Sequence, residues 1–509
     1  MTHLARPITL GLALILSALA GVAAGDDAAE QRTADYFESI RAEPLMQLVF
    51  LRQMPKGGDL HNHLSGAVYA ETLIGWAAEA GLCADRRSAA LSAGPCDAAQ
   101  DRPPVTFALT PGGDALRALL IDQWSMRNFV PGPRSGHDHF FETFAKFGPA
   151  TRGRTGEMLA EVMARAAAQR ELYLELMLTA DGSAAADLGT ALGWDADLGR
   201  FRERLLAGGL GQAIAVARRT LDQTEATARA RLRCETPAAD PGCDVEVRYL
   251  YQVLRNSPPE RVFAQIVLGF ELTRAERRVV GLNLVQPEDG YLAMRDYELH
   301  MTMLDHLHRL DPTVNVSLHA GELAPGLVPP EGLCCHVRLA VERGHARRIG
   351  HGVAVMYERD PEGLLREMAR RRVLVEIALT SNAGILGVQG PMHPLAMYLR
   401  SGVPVALATD DEGVNRSDLT QEYFRAAREH GLGYGDLKQS ARNSLEHSFL
   451  PGDSLWETSD VFVPVAACAS DRPGAASVSI GCRAFLAGSE RARLQWRLEA
   501  AFADFEPRY

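Results

Sequence analysis

The sequence predicts an α/β protein built as one (β/α)8 barrel, and three observations support this. Short apolar or β-branched runs alternate with helical patterns along the 509 residues. Histidines and carboxylates directly follow several of these runs, and the strand ends of such a barrel are where its polar chemistry gathers. The composition, 47% hydrophobic and 23% charged, is that of a globular protein. A disordered chain is therefore excluded.

Eight runs are predicted as the barrel strands, in chain order Asp59–His63, Leu172–Met177, Glu246–Leu254, Val279–Val285, Val314–His319, Arg348–His351, Val373–Ile377 and Val403–Thr409. Between them, apolar residues three or four apart predict helices over Glu331–Arg343 and Pro361–Arg371. Gly182–Ala230 is rich in Ala, Leu and Arg and predicts a long helical elaboration of one crossover. The alternation favours parallel strands joined by helices.

Residues 1–24 have the pattern of a cleaved secretory signal. An apolar run, Ile8–Ala20, is followed by small residues and then by Asp26 and Asp27. The alternative is a membrane anchor, but the run is shorter than the roughly 20 residues that a span needs. We therefore expect a secreted or periplasmic protein with no stable membrane anchor after cleavage. Residues 25–509 would form one barrel domain with insertions at about 84–115, 182–245 and 455–490.

The charge balance limits the partners. The formal net charge is −11, whereas nucleic acids and anionic lipid surfaces bind proteins through basic faces. We therefore expect a small-molecule substrate and no nucleic-acid partner. The oligomeric state is left open by the sequence.

The eight cysteines are interpreted as disulfides, because an exported chain meets oxidising conditions. Three pairs each flank a short turn-rich loop: Cys83 with Cys96, Cys234 with Cys243, and Cys468 with Cys482. The sequence leaves open the connectivity of the disulfides and whether the adjacent Cys334 and Cys335 stay reduced. A zinc-binding cysteine cluster is the alternative, but the chain has no Cys-x2-Cys pair to support it.

The strand ends carry the candidate chemistry. His61 and His63 are two apart on the first strand, so their side chains face the same way. Later strands end in His319-Ala-Gly-Glu322, in His351, and in Asp410-Asp411. Each of these polar groups alone has an ordinary structural explanation, such as a helix cap. Their repetition at successive strand ends instead requires one explanation for the whole set. His137 and His139 have the same spacing within a helical pattern, where such residues do not face each other.

Zinc is the metal that this set favours. It binds imidazole and carboxylate, and a catalytic zinc site keeps one position for water. His61, His63, His319 and Asp410 would supply three nitrogens and one oxygen to one zinc ion. Glu322 and His351 then remain for proton transfer. The fourth strand, Val279–Val285, contains no lysine that could bridge two metals.

Taken together, these motifs resemble the adenosine deaminase family of the amidohydrolase superfamily. The resemblance rests on motifs in matching order and spacing and covers roughly residues 50–450; they are Met54-Pro-Lys56, Leu60-His-Asn-His-Leu64, His319-Ala-Gly-Glu322, Arg348-Ile-Gly-His-Gly352, Thr380-Ser-Asn382, Thr409-Asp-Asp411 and Asn443-Ser444 with Ser448-Phe-Leu450. Export, a helical N-terminal segment and long insertions are similar to the secreted adenosine deaminase growth factor branch. The resemblance implies a metal-dependent amidohydrolase barrel.

The resemblance also implies residue roles. One zinc would be held by His61, His63, His319 and Asp410. Glu322 would exchange a proton with purine N1, His351 would orient the hydroxide, with Asp410 helping to hold it, and Asp411 would meet N7. Glu322, His351 and Asp410 are thus the expected catalytic residues.

Two positions depart from the family pattern and bear on the substrate. Ser65 stands where family members carry an Asp that contacts ribose, and Gln286 stands where they carry a Gly. Together with Gly66 and Asp411, these residues are expected to bind the substrate. The expected reaction is hydrolytic deamination of adenosine, and of 2′-deoxyadenosine, to inosine and ammonia. The alternatives are a zinc amidohydrolase acting on another aminopurine or nucleoside and an exported binding or signalling protein with a relict site.

Overall fold

The computed structural model describes residues 28–509, so the expected signal segment at 1–24 lies outside the described residues. Eight parallel strands form two four-stranded sheets. In chain order they are β1 Gly57–His63, β2 Glu171–Leu178, β3 Glu246–Leu254, β4 Val279–Val285, β5 Ser317–Ala320, β6 Arg348–His351, β7 Leu374–Ile377 and β8 Val405–Leu407. The strands pair in sequence order within each sheet, and β1 and β4 through β7 are buried throughout. Burial along the whole strand is typical of parallel sheets that are covered on both faces.

Single parallel bridges join the two sheets at both junctions. One pairs Asn62 of β1 with Asp410 just after β8, and the other pairs Leu282 of β4 with Val316 just before β5. The Asp410 N–H donates to the His61 carbonyl at 2.8 Å, and the His63 N–H donates to the Asp410 carbonyl at 2.9 Å. The strands therefore follow one another around the ring of a (β/α)8 barrel, as predicted.

The helices surround this barrel. Helical conformation begins the described chain at residues 28–39. The α-helices that follow are Pro44–Gln53, Ala70–Glu79, Asp114–Gln123, Gly136–Thr151, Thr155–Ala168, Ala184–Leu192, Leu198–Ala207, Leu210–Arg231, Pro259–Ala275, Tyr291–Arg295, Tyr297–Leu310, His336–Glu342, Pro361–Arg371, Leu379–Leu386, Leu395–Arg400, Glu412–Asn415, Leu419–His430, Tyr434–Glu446, Ile480–Gly488 and Glu490–Phe505. Within residues 28–509, no helix is both long and apolar enough to span a membrane.

Two predicted helices are interrupted. Gly182–Ala230 divides into three helices because Gly193 and Gly209 adopt positive φ, which ends one helix and precedes another. The prediction over Glu331–Arg343 is wrong in its first half: a 3-10 turn, Pro330–Leu333, precedes the helix. Cys335, with φ of 83°, separates the two and cannot continue a right-handed helix.

All eight cysteines are paired. The three predicted disulfides, Cys83–Cys96, Cys234–Cys243 and Cys468–Cys482, are present. Cys334 and Cys335, whose state the sequence leaves open, are bonded to each other. The turn at Cys335 brings the two sulfurs together, and no free cysteine remains in residues 28–509.

The segments outside the barrel contain little regular structure. Cys83–Ala84 pairs with Leu91–Ser92 in one short antiparallel ladder, and Trp456–Thr458 pairs with Val463–Pro464 in another. The remaining turns of 3-10 helix are Ala98–Gln100, Val105–Leu109, Pro241–Asp244, Val353–Tyr357, Gly390–Met392, Ala466–Cys468 and Glu506–Arg508. A separate apolar cluster around Leu455, Trp456 and Trp496 includes the disulfide Cys468–Cys482. The C-terminal segment thus has its own small core.

Candidate active site

Three histidines and one aspartate converge at the carboxyl ends of the strands. The Nε2 atom of His319 lies 3.0 Å from Nε2 of His61 and 3.1 Å from Nε2 of His63. Oδ1 of Asp410 lies 3.4 Å from both His61 Nε2 and His63 Nε2. A tetrahedral metal with bonds of about 2.1 Å separates its ligand atoms by roughly 3.4 Å. The four donor atoms therefore have the spacing that one small metal ion requires.

The hydrogen bonds on the far side of each ring aim the Nε2 atoms inward. Nδ1 of His61 lies 2.6 Å from Glu376 of β7. Nδ1 of His63 lies 2.8 Å from the side-chain oxygen of Gln252 in β3. Nδ1 of His319 lies 2.8 Å from the side-chain oxygen of Asn283 in β4. Each Nδ1 thus donates to an oxygen, which leaves Nε2 free to be a ligand. The hydrogen bonds to Glu376, Gln252 and Asn283 thus place these protons on Nδ1.

The cluster attracts positive charge. Burial disfavours the charged form of His61, but hydrogen bonds to Asp410 and Glu376 outweigh it and raise the pKa of His61 to about 10. Burial and the neighbouring His61 hold the pKa of His319 well below its usual range. Either a proton on His61 or a metal ion satisfies the two carboxylates. The donor set fits a metal ion, since the other two histidines are neutral and point at the same place.

A buried ion pair supports the cluster from below. Arg348 of β6 lies 2.6 Å from Oε1 of Glu376 and 2.5 Å from Glu175 of β2. Burial alone would raise the pKa of Glu376, but the charge of Arg348 and the hydrogen bond from His61 lower it. Glu376 is therefore a carboxylate that orients His61.

His351 has the opposite tautomer to the three clustered histidines. The Leu395 N–H donates to Nδ1 of His393 at 3.1 Å, so His393 carries its proton on Nε2 and donates to the Asn382 side-chain oxygen at 3.0 Å. The amide nitrogen of Asn382 then donates to Nδ1 of His351 at 3.0 Å. The proton of His351 therefore lies on Nε2, which is buried and has no protein partner. A protonated nitrogen donates a hydrogen bond and does not ligate a metal.

Glu322 is the buried acid of the site. Its carboxylate lies 3.8 Å from Nε2 of His351. Burial, followed by the charge of Asp410, raises the pKa of Glu322 to about 8. The backbone N–H groups of Gly321 and Glu322 donate to the carboxylate of Glu288 at 3.0 and 2.7 Å, and the third partner of Glu288 is His336 at 2.6 Å. Glu288 therefore fixes the turn that carries the acid.

Asp411 adds a second buried carboxyl group to the site. Burial, followed by the charge of Asp410, raises the pKa of Asp411 well above its usual range. Its Oδ1 is buried without a hydrogen-bond partner. A neutral carboxyl can donate to an acceptor such as a ring nitrogen. Ser381 donates to Oδ2 of Asp410 at 2.6 Å, while Oδ1 of Asp410 faces His61 and His63. Asp410 and Asp411 therefore have different surroundings.

These groups open into one cavity of about 410 Å³, within the range for small-molecule sites. Its polar lining is Ser65, Gln252, Gln286, Glu322 and Asp411 with His63, His319, His351 and Asp410, and its apolar lining is Phe140, Phe141, Phe144, Leu254, Val285 and Pro287. The lining residues include no lysine and no arginine. The cavity combines acidic groups at one end with flat aromatic surfaces.

The four expected substrate-binding residues differ in their positions. Ser65, Gln286 and Asp411 line the cavity. Gln286 has φ of 82°, which explains why a Gly suits this position, and its side-chain oxygen accepts from the Asn256 N–H at 2.9 Å. Gly66 lies against Asp411 instead: a Cβ atom there would be 1.7 Å from Asp411 Oδ1. Gly66 thus makes room for the Asp411 side chain.

The second His-x-His pair is outside the cluster. His137 lies in the helix Gly136–Thr151 and its Nε2 is 2.9 Å from Asp289, while His139 donates to the Ser125 carbonyl at 2.9 Å. The same helix supplies the three phenylalanines of the cavity, which were not anticipated from the sequence. Glu376, Asn283 and Gln252 were also missed, although polar residues within apolar strands were a signal that could have found them.

Comparison with known proteins identifies a similar family. The family model described as adenosine deaminase matches residues 215–460, slightly less than half of the chain. This part of the chain is therefore similar to the adenosine deaminase family. Adenosine deaminase of Mycobacterium marinum is 26% identical over 235 residues, which are 44% of this chain and 60% of that protein. Adenosine deaminase of Escherichia coli strain SMS-3-5 is 36% identical over 152 residues, which are 30% of this chain and 42% of that protein.

The matches thus span less than two thirds of the length of these relatives. Among solved structures, an Arabidopsis protein named ADAL, complexed with IMP, aligns with a TM-score of 0.50 and 20% identity, covering 78% of this chain and 93% of its own. This likeness concerns the fold. The sequence matches show similarity to adenosine deaminases, and the structural match shows the barrel fold.

Proposed function

We propose that the protein is a zinc-dependent aminohydrolase that converts adenosine, and also 2′-deoxyadenosine, to inosine and ammonia. The observation that carries this proposal is the convergence of three histidine Nε2 atoms and Asp410 beside a buried, protonated Glu322. Zinc held there would activate a water molecule, because the metal lowers the pKa of bound water to about 7. Hydrolytic deamination requires an activated water molecule to attack the ring and an acid to protonate a ring nitrogen.

The protein groups have separate tasks. Glu322, whose pKa of about 8 keeps a proton available near neutral pH, donates to purine N1 and makes C6 electrophilic. The Nε2–H of His351 donates a hydrogen bond to the attacking oxygen. The neutral carboxyl of Asp411 donates to N7 and so fixes the ring. Water adds to C6, the C6–N bond breaks, and ammonia leaves.

The lining favours a nucleoside over a nucleotide. Phosphate groups are bound in proteins by arginine, lysine or backbone N–H groups, and the residues that line this cavity include neither basic side chain. The three phenylalanines provide apolar faces for the purine ring. A neutral aminopurine nucleoside therefore matches the cavity in shape and charge.

We also propose that the protein acts outside the cytoplasm. The N-terminal residues have the composition of a secretory signal, and four disulfides support an oxidising compartment. The N-terminal sequence of exported protein, expected near Gly25, tests this proposal.

A deamination screen tests the reaction. Zinc-loaded protein would be assayed for ammonia with adenosine, 2′-deoxyadenosine, N6-methyladenosine, AMP and cytidine, with zinc content measured by elemental analysis. We expect one zinc per chain and a kcat/KM for adenosine at least about tenfold above that for AMP, a difference of about 1.4 kcal/mol. A preference for AMP or for N6-methyladenosine would contradict the substrate assignment. No ammonia from any purine would contradict the reaction, and two metals per chain would contradict the single zinc site.

The variants His319→Ala and His137→Ala form a matched pair for this assay. His319 lies in the cluster, so its loss should remove both zinc and activity. His137 has the same side chain but binds Asp289 outside the cluster, so its loss should leave the zinc content unchanged. Loss of zinc from both variants would show that the assay reports folding and not ligation.

A further inference from the structure

A second cavity lies at the end of the barrel opposite the candidate active site. Its volume is about 380 Å³. It is bordered by the segments that lead into β6 and β7 and by residues 446–449 after the helix Tyr434–Glu446. These segments are at the amino ends of the strands, whereas the clustered histidines are at the carboxyl ends. The two cavities are therefore separate.

This cavity is strongly basic in an acidic protein. Its lining contains Arg347, Arg371, Arg372 and Arg491 against one carboxylate, Glu446, while the whole chain has a net charge of −11. Arg371 pairs with Glu367, and Arg372 pairs with Asp460. Glu446 accepts hydrogen bonds from Ser454 and Gln495 instead, so Arg347 and Arg491 have no carboxylate partner among the described residues.

Arg347 and Arg491 bind only neutral oxygens in the described residues. Arg347 donates to the Asn315 side chain, and Arg491 donates to the Leu450 carbonyl at 3.2 Å. The pKa of Arg347 is lowered by burial and by the neighbouring charges of Arg491 and Arg348. The cations therefore repel one another, and an anion between them would remove this repulsion.

Three buried nitrogens at this cavity lack a protein partner. They are Nε2 of His447, Nδ1 of His308 and Nε of Arg491. Burial, followed by the charges of Arg372 and Arg348, lowers the pKa of His447 to about 3. A buried polar atom without a partner is costly. Nε of Arg491 always carries a hydrogen, so its lack of a partner among the described residues indicates an absent acceptor.

Capping of helix ends explains part of this charge but not all of it. Arg371 donates to the Val341 carbonyl, and Arg348 donates to the His447 carbonyl at 3.0 Å, as cations near helix C-termini commonly do. Arg347 makes no such contact, and its side chain borders the cavity. The surplus charge thus goes beyond what the helices require.

We propose that this cavity binds a small oxyanion with two or more negative charges, of the phosphate or pyrophosphate type. Guanidinium groups match the oxygens of such anions in pairs. The volume exceeds that of a single phosphate, so an anion with two phosphate groups should bind more tightly. The site is independent of the deaminase reaction, since no residue of the active-site cavity lines it.

Calorimetric titration of zinc-loaded protein with inorganic phosphate, pyrophosphate and sodium chloride tests this proposal. We expect saturable pyrophosphate binding with Kd below about 1 mM, weaker phosphate binding and no chloride binding at equal ionic strength. The variants Arg491→Gln and Arg347→Gln should each raise Kd about tenfold, the loss expected for one charge-assisted hydrogen bond. Arg347 is the more exposed residue and so provides a variant that should fold normally.

Two controls make the result decisive. Arg366→Gln removes an exposed arginine that pairs with Glu362 on an outer helix, and it should leave pyrophosphate binding unchanged. His319→Ala removes a histidine of the other cavity, and it should also bind pyrophosphate like the parent protein. Absence of saturable binding, equal Kd values in Arg347→Gln and Arg366→Gln, or loss of binding in His319→Ala would each overturn the proposal.

Discussion

At the scale of single residues, Glu322 separates chemistry from binding. Glu322→Gln keeps the shape of the side chain and removes the acid, so we expect turnover to fall by about 10²-fold or more. Zinc content and substrate affinity should stay near the parent values, because Glu322 is not among the clustered ligands. Turnover, zinc content and the substrate dissociation constant would be measured together. Near-parent turnover would contradict the proposed proton donor.

Asp410→Asn is the matched comparison for that variant. It makes the same change of one oxygen to nitrogen but at the carboxylate that contacts His61 and His63. It should lower both zinc content and turnover. If the two variants behaved alike, the division between ligand and acid would be wrong.

The tautomer of His351 is a second residue-scale prediction. In Asn382→Asp a carboxylate would accept a proton from Nδ1 of His351, whereas Asn382 donates to that atom. We expect kcat to fall by about 10²-fold with KM and zinc content little changed, since the misplaced proton affects the attacking oxygen. Steady-state kinetics and elemental analysis measure these quantities.

His393 provides the control for this chain of hydrogen bonds. His393→Gln keeps a donor toward the Asn382 oxygen, and His393→Leu removes it. The Gln variant should retain more kcat than the Leu variant. Equal losses in both would indicate that His393 acts only through packing.

At the scale of elements, the helix Gly136–Thr151 joins the barrel to substrate selection. Phe144 lines the cavity from this helix. Phe144→Ala should raise KM for adenosine about tenfold and leave kcat within about twofold, because an apolar contact worth about 1.4 kcal/mol or more is lost in both ground and transition states. Phe485→Ala, a partly buried phenylalanine in the C-terminal segment, should leave KM unchanged. A fall in kcat alone would place Phe144 in the catalytic step.

The strand ends were predictable from the sequence, and their partners were not. Apolar runs followed by histidine or carboxylate indicate both the strands and the ligands. The predicted strand Val314–His319 nevertheless begins at Ser317 in the structure, because Val316 makes only a single bridge with Leu282. Hydrophobicity predicts which residues are buried. It does not predict which of them pair with a neighbouring strand through backbone hydrogen bonds. Asn283 and Glu376 are located by pairing across the barrel, which a single run does not reveal.

Local backbone conformation accounts for the other differences. Positive φ at Gly209 and Cys335 interrupts two predicted helices. The spacing of apolar residues does not reveal such backbone conformations. The Cys334–Cys335 bond was missed because adjacent cysteines flank no loop. Motif order therefore indicates where the candidate site residues lie along the chain, while their orientation depends on contacts between distant segments.

At the scale of the whole molecule, the cysteine count gives a direct prediction. Denatured protein that has not been reduced should contain no reactive thiol, and reduction should expose eight. Thiol titration followed by mass spectrometry of peptides distinguishes the pairs. Two reactive thiols at Cys334 and Cys335 would contradict that pair alone, and thiols elsewhere would contradict the pairing of the loops.

The bridge between Asn62 and Asp410 has a consequence for biosynthesis. Asp59, beside it, accepts a hydrogen bond from Thr409, 350 residues later. A ribosome therefore produces His61 and His63 long before the carboxylate that completes their cluster, and the nascent chain carries an incomplete set of ligands through most of its synthesis. Metal loading is expected only after translation has passed the last strand, so a product truncated before Asp410 would contain three of the four ligand side chains and no closed site.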